Sequence, residues 1–219
     1  MISVIVPALI NTNKQLAMSI KLLESAKQLT SIPFNLVVVE TESDHLREYC
    51  DFHIYEAKKS TCTKSINRGF RLLESEFKVL LTNDVNLKPG WLDALLHCFS
   101  NKKDCGIATL ATTQLNHSQR DEIEEGIWFS VAMFLDDGEY FDEGYVNSWD
   151  DTDFIMRRYL KGQKMYRNFN VVVDHKPGQT EYAKPDHVEN FNKNRERFIK
   201  KFGDSNHPMY QRLISGEVI

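Results

Sequence analysis

Asp84 is the acid best placed for chemistry in this chain. It sits in the stretch FKVLLTNDVNLKPGW over residues 77–91. The mostly apolar run 78–81 gives way within one residue to Thr82, Asn83 and Asp84, and Pro89-Gly90 then precedes an amphipathic segment. That order predicts a strand, a polar turn and a helix. It puts an acid at the carboxyl end of a buried strand, where open α/β sheets bind ligands. A second apolar run, 35–39, ends in Glu40, Thr41, Glu42, Ser43 and Asp44, so two strands bring carboxylates toward one rim. A third acidic group, Asp150, Asp151 and Asp153, opens an expected helix. Each placement also has a purely structural use: an Asx turn for Asp84, and complementing the helix dipole for the third group.

The elements that must carry these residues alternate. Residues 2–6 predict a strand stopped by Pro7, and residues 11–13 supply the cap of a helix with Leu16, Ile20, Leu22 and Leu23 near a 3.6-residue period. A short strand at 52–55, a helix at 64–75 with Ile66, Phe70 and Leu73 on one face, and a strand at 77–81 follow. Then come a helix at 91–99, strands near 106–111 and 127–135, a helix from Trp149 to Gly162, and a strand over 164–173 leading into Asp174, His175, Lys176, Pro177 and Gly178. Residues 190–203 mix charge with sparse apolar positions and predict an exposed helix at the domain edge. Strands alternating with helices imply an α/β fold with right-handed crossovers, a mostly parallel central sheet and helices on both faces. With 219 residues, 42% of them hydrophobic, one domain is expected over 1–203, with a tail over 204–219.

Composition narrows the function. A formal net charge of -4 argues against a general phosphate-backbone surface. Cys50, Cys62, Cys98 and Cys105 form no CxxC pair, which points to a reducing compartment and away from a zinc site. The first residues lack a basic leader, and no run of about 18 apolar residues occurs, so a cytoplasmic protein without a transmembrane segment is expected. There is no GxGxxG or GxxxxGK[ST] loop, which counts against dinucleotide-binding and P-loop enzymes.

Taken in order, the motifs resemble those of the family 2 glycosyltransferases of GT-A fold. The first strand ends in Pro7-Ala8-Leu9-Ile10, with Asn11 one place later than the family's loop has it; the second ends in Glu40 where the family usually has Asp. Ser65-Ile66-Asn67-Arg68-Gly69 is similar to the family's Ala-x-Asn-x-Gly, and LLTNDVNLKPGWL to an Asn-Asp variant of its DxD motif. Phe141-Asp142-Glu143-Gly144-Tyr145, the pair Asp150-Asp151, His175, and a closing helix with Phe202 in place of Trp complete the set.

The resemblance implies transfer of a sugar from a nucleotide-sugar, UDP-sugar favoured, to an acceptor hydroxyl with inversion. It implies a donor-binding half over 1–112 and an acceptor-binding, catalytic half over 113–203. Pro7, Ala8, Glu40, Asn67, Asn83 and Asp84 would bind the donor, with Glu40 on the nucleoside. Asp84 and His175 would hold Mn²⁺ or Mg²⁺ to neutralise the departing diphosphate, with Lys176 a candidate phosphate contact. Asp151 is chosen as general base and Asp150 as the group orienting the acceptor. Trp149 has two readings, stacking on the acceptor or filling the core. The acceptor itself is left open among glycan, lipid-linked sugar, protein and modified DNA base. The alternative function is a noncatalytic nucleotide-sugar or carbohydrate-binding protein of the same fold, since Asn83 brings no charge. A nucleotidyltransferase is a third possibility, but it gives the Asp150-Asp151 and His175 segments no reason for their order.

Overall fold

A computed structural model describes residues 1–115, 121–175 and 187–215. The strands are β1 (Ile2–Leu9), β2 (Asn35–Thr41), β3 (Phe52–Glu56), β4 (Phe77–Leu81), β5 (Val85–Asn86), β6 (Cys105–Thr112), β7 (Ile123–Glu125), β8 (Val131–Leu135) and β9 (Lys164–His175). The helices are α1 (Asn13–Gln28), α2 (Cys62–Leu72), α3 (Trp91–Asn101), α4 (Asp150–Leu160), α5 (His187–Phe202) and α6 (Pro208–Ser215). The strands lie in the order β3-β2-β1-β4-β8-β6-β9-β5, with β7 also paired to β9. β3, β2, β1 and β4 are mutually parallel, β8 runs antiparallel to both β4 and β6, and β6 and β9 are parallel again. The sheet is therefore mixed but mostly parallel, as the alternation of elements predicts.

Strand alternation sends successive side chains to opposite faces and so builds two cores. Val4, Val6 and Val38 pack with Leu22, Leu23 and Ala26 of α1 and Trp91, Leu92 and Leu95 of α3. Ile5, Val37 and Val39 pack with Ile66 and Phe70 of α2, Phe154 and Ile155 of α4, Phe198 of α5 and Met209 of α6. Gly69 lets α2 approach β1 closely, since a Cβ there would fall 2.5 Å from Ile5 Cγ2.

Three boundaries differ from expectation in ways that bear on function. β1 runs on through Pro7 to Leu9, whereas a stop at Pro7 was expected. It pairs with β4 only as far as Ile5, so beyond that point it is bonded on one side and tolerates a residue without an N–H. The helix expected to lie exposed at the edge is α5, and it buries Asn194, Phe198 and Phe202. Its apolar residues are few but share one face, each full burial contributing about 1.5–3 kcal/mol. The stretch set apart as a tail from 204 contains α6, whose Met209, Tyr210 and Leu213 are buried in the second core. Among the described residues, no helix is long and apolar enough to cross a membrane.

Candidate active site

A cavity of about 280 Å³ opens at the carboxyl ends of the parallel strands. β1 contributes Pro7, Ala8 and Leu9, β2 contributes Thr41, and the turn after β4 contributes Thr82, Asn83 and Asp84. The entry to α2 adds Ser60, Cys62 and Ser65, and the entry to α4 adds Asn147 and Asp150. Of the residues singled out from the sequence, Pro7, Ala8, Asn83, Asp84 and Asp150 line this cavity, while Glu40, Asn67, Asp151 and His175 do not.

Glu40 and Asn67 have other partners. The Glu40 side chain is fully buried; Oε1 accepts from Ser43 Oγ (2.6 Å) and the His45 amide (2.9 Å), and Oε2 accepts from the Leu46 amide (3.0 Å) and lies 2.9 Å from His53 Nε2. Burial works against its charge, but the bonds from Ser43, His45, His53 and Leu46 outweigh burial and hold the carboxyl below its ordinary range. Glu40 therefore stitches the loop after β2 and does not line the cavity, which weighs against the nucleoside contact expected of it. Thr41, one residue later, is the β2 residue that reaches the cavity. Asn67, also fully buried, donates to Phe141 O (2.8 Å) and Glu143 Oε1 (2.9 Å) and accepts from the Phe141 amide (3.0 Å). Its whole amide ties α2 to the segment ahead of α4, and the residue does not line the cavity, which weighs against the donor contact expected of it.

Asp84 and His175 meet through strand pairing. β5 follows Asp84 directly and runs antiparallel to the end of β9, with Val85 opposite His175. This sets His175 Nε2 3.5 Å from Asp84 Oδ2. Asp84 Oδ1 and His175 Nδ1 are buried with no hydrogen-bond partner, an arrangement native proteins seldom keep without a use. Burial raises the Asp84 pKa, yet His175 and Thr82 together bring it below the ordinary value, so the carboxylate stays charged. A carboxylate and an imidazole brought side by side in this way are ligand types that divalent cations take; the close pair is Oδ2 and Nε2, and the unpartnered atoms are the other oxygen and the other ring nitrogen. Asn83 directs its amide nitrogen to Ser19 Oγ on α1 (3.4 Å) and adds no charge.

The third acidic group divides by one residue. α4 begins at Asp150, behind the N-cap residue Trp149, whose φ of 66° is left-handed and whose side chain makes no cap bond. Asp150 Oδ2 accepts from Thr63 Oγ1 of α2 (2.9 Å) and the residue lines the cavity. Asp151 Oδ1 instead accepts from the amide (2.7 Å) and hydroxyl (3.2 Å) of Thr152. Burial and the charge of Asp151 push Asp150 up to about 6, and burial raises Asp151 as well. Asp153 is fully buried between Arg157 (2.7 Å) and Lys201 (2.6 Å). Trp149 packs in the core against Phe191 and Phe198, at ring distances of 5.5 and 5.2 Å, which settles its two readings in favour of packing. Lys176 lies outside the described residues.

Leu9, Thr41, Ser60, Cys62, Ser65, Thr82 and Asn147 also line the cavity and were not among the site residues expected from the sequence. The hydroxyl-rich run Ser60 to Ser65 was visible, but helix capping accounts for such a run by itself, and Thr61 does cap α2.

The fold matches those of solved glycosyltransferases of GT-A type. The chain superposes over 97% of its length on 67% of mannosyltransferase PcManGT from Pyrobaculum calidifontis in complex with GDP-Man and Mn²⁺, at TM-score 0.71 and 15% identity. It covers 70% of S. aureus TarS 1–349 in complex with UDP-GlcNAc over 98% of its own length, at TM-score 0.69 and 16% identity. The same TarS fragment in complex with UDP gives TM-score 0.65 at 16% identity. At these identities the likeness is one of fold. Neither a protein-family model nor a curated protein matches the sequence.

Proposed function

We propose that this chain is a glycosyltransferase that passes a sugar from a nucleotide-sugar to an acceptor hydroxyl with inversion. The observation that carries the reading is the approach of His175 Nε2 to within 3.5 Å of Asp84 Oδ2, with Asp84 and Asp150 lining the same cavity. Asp84 and His175 would hold a divalent cation, Mn²⁺ or Mg²⁺; when bound, it offsets the negative charge that gathers on a departing diphosphate. The backbone of Pro7, Ala8 and Leu9, with Thr41 and Asn83, shapes the donor site. The donor side falls on residues 1–112 and the acceptor side on 113–203, with His175 and Asp150 reaching back from the second half.

Asp150 takes the role of general base in place of Asp151, because it alone of the pair faces the cavity. Burial and the charge of Asp151 raise its carboxyl to about 6, which makes it more basic than an ordinary carboxylate. It removes the proton of the acceptor hydroxyl as that oxygen bonds to the anomeric carbon. The bond from that carbon to the diphosphate breaks with its electron pair on the leaving oxygen. One displacement of this kind inverts the anomeric centre. Thr63 fixes the rotamer of Asp150 by donating to Oδ2.

UDP-sugars are the donor class we put first; a GDP-sugar is held by one neighbour of this fold and a UDP-sugar by another. A noncatalytic donor-binding protein is the second reading, favoured by Asn83, whose amide leaves Asp84 as the one carboxylate in its turn. Thermal-shift measurements with UDP-, GDP-, ADP- and CDP-sugars, with and without Mn²⁺, followed by assay of nucleoside diphosphate release, test both. Ligands that bind only the folded state raise Tm. A Mn²⁺-dependent shift for one base class with slow diphosphate release is expected. A shift without release over days supports the binding protein, and no shift for any donor contradicts the proposal.

A further inference from the structure

The loop that delivers Asp150 runs against ordinary backbone preference. Among the described residues three non-glycine positions have positive φ, and two of them, Asn147 at 57° and Trp149 at 66°, lie just ahead of Asp150. Such conformations persist where the surrounding structure over-determines them, and they gather at functional sites. The constraint here comes from α5, 48 residues further along the chain. Asn194, buried to 5% exposure, donates from Nδ2 to Val146 O and Ser148 O, each at 2.9 Å, with Ser148 Oγ also at 2.9 Å. Its Oδ1 accepts from the Val146 amide at 3.4 Å. Both polar atoms of the side chain thus grip the residues on either side of Asn147, which lines the cavity.

The grip is reinforced from the same face of the helix. Phe191 and Phe198, three residues before and four after Asn194, hold Trp149 between them. Lys201 reaches Asp153 in the first turn of α4. α5 is thereby fastened to the loop's backbone, to the N-cap residue of α4, and to the turn that carries Asp150.

We propose that Asn194 is a positioning residue for sugar transfer: by clamping Val146 and Ser148 it holds Asn147 and Asp150 against the cavity. The inference rests on the reading of Asp150 as general base. It explains why Asn194 is buried at 5% exposure on a helix whose Asn192 and Lys193 beside it are exposed. Asn is short enough to remain within α5, yet it offers the two donors and one acceptor that this loop requires.

The test compares Asn194→Ala with the parent in three measurements: donor affinity by calorimetry with Mn²⁺, kcat by diphosphate release, and backbone hydrogen exchange. Donor affinity is expected to stay within about threefold while kcat falls about 10- to 100-fold, the loss a displaced catalytic group brings. Exchange is expected to accelerate at residues 146–150 and to remain parental in β1, β2 and β4. Should Asn194→Ala not fold, Asn194→Asp, which keeps the shape and the acceptor but loses both donors, carries the same measurements. A folded variant with parental kcat, or with parental exchange at 146–150, overturns the clamp. Equal losses in donor affinity and kcat also overturn it, since they mark a residue that merely supports the fold. A parent that binds and turns over no donor removes the reading on which the clamp's purpose rests, whereas exchange reports on the clamp itself.

Discussion

The acids at this rim fall into two sets that differ in what their oxygens meet. Glu40 sits on β2 with both oxygens filled by two backbone amides, a serine hydroxyl and an imidazole. Asp153 is enclosed by Arg157 and Lys201, and Asp151 is turned onto Thr152. Asp84, beyond the end of β4, keeps a buried oxygen with no partner, and Asp150 faces the cavity with one bond from Thr63. Burial alone does not separate the sets; satisfaction does. A carboxylate whose lone pairs are filled by the fold cannot take a ligand without giving those bonds up. One left open beside a cavity is free to take a cation or a proton.

The largest effect that would sharpen this division is at Asp150. Asp150→Asn is expected to lower kcat by about 10²- to 10⁴-fold, the range for a positioned general base, with donor affinity near parental. The same variant gives a second reading through stability. The Asp150 pKa is raised on folding, so its charge opposes the folded state. Stability linked to this group is present below the ordinary Asp value and is lost as pH rises toward about 6. Asp150→Asn should therefore raise Tm at pH 7.5 and leave it nearly unchanged at pH 3. A variant that keeps parental turnover, or melts lower at pH 7.5, puts Asp150 in the wrong set.

Next in size is Glu40→Gln, expected to destabilise the fold by about 1–3 kcal/mol at neutral pH, because buried donors lose a charged acceptor. The folded Glu40 pKa is depressed, so its stabilisation is present above the ordinary Glu value and drains away as pH falls through the lowered one. The gap between variant and parent should close in acid. Urea titration at pH 7 and in the acid range measures it, and a donor affinity lost while stability holds would move Glu40 to the ligand-binding set. The smallest effect belongs to Asp151→Asn: kcat is expected to stay within about threefold of the parent. A loss as large as that of Asp150→Asn would mean that the pair acts together.

Much of this was legible in the sequence, for reasons that particular residues show. The strand ending in Thr82, Asn83 and Asp84 could be read because an apolar run and a Pro-Gly pair bracket it within fifteen residues. The choice between Asp150 and Asp151 could not. Adjacent helical residues point about 100° apart, and the phase of the first turn is set by Trp149 in a left-handed conformation, which no local propensity announces. The meeting of His175 with Asp84 depends on the two-residue strand β5, too short to leave a periodic signal. The place of α5 was hidden by its charges. Phe191, Asn194, Phe198 and Phe202 fall on one face, but the lysines and arginines between them read as a solvated helix, and what covers the face is the loop ahead of α4, more than 40 residues back, together with Tyr210 of α6.

The most direct test of the account is calorimetric titration of UDP-glucose, and of whichever donor the thermal-shift panel selects, into the parent, Asp84→Asn and Glu40→Gln, each with and without Mn²⁺. Mn²⁺ is expected to strengthen donor binding in the parent and in Glu40→Gln, whereas Asp84→Asn should bind donor equally weakly in both conditions while remaining folded. A full Mn²⁺ gain retained by Asp84→Asn, or lost by Glu40→Gln at unchanged stability, would contradict it.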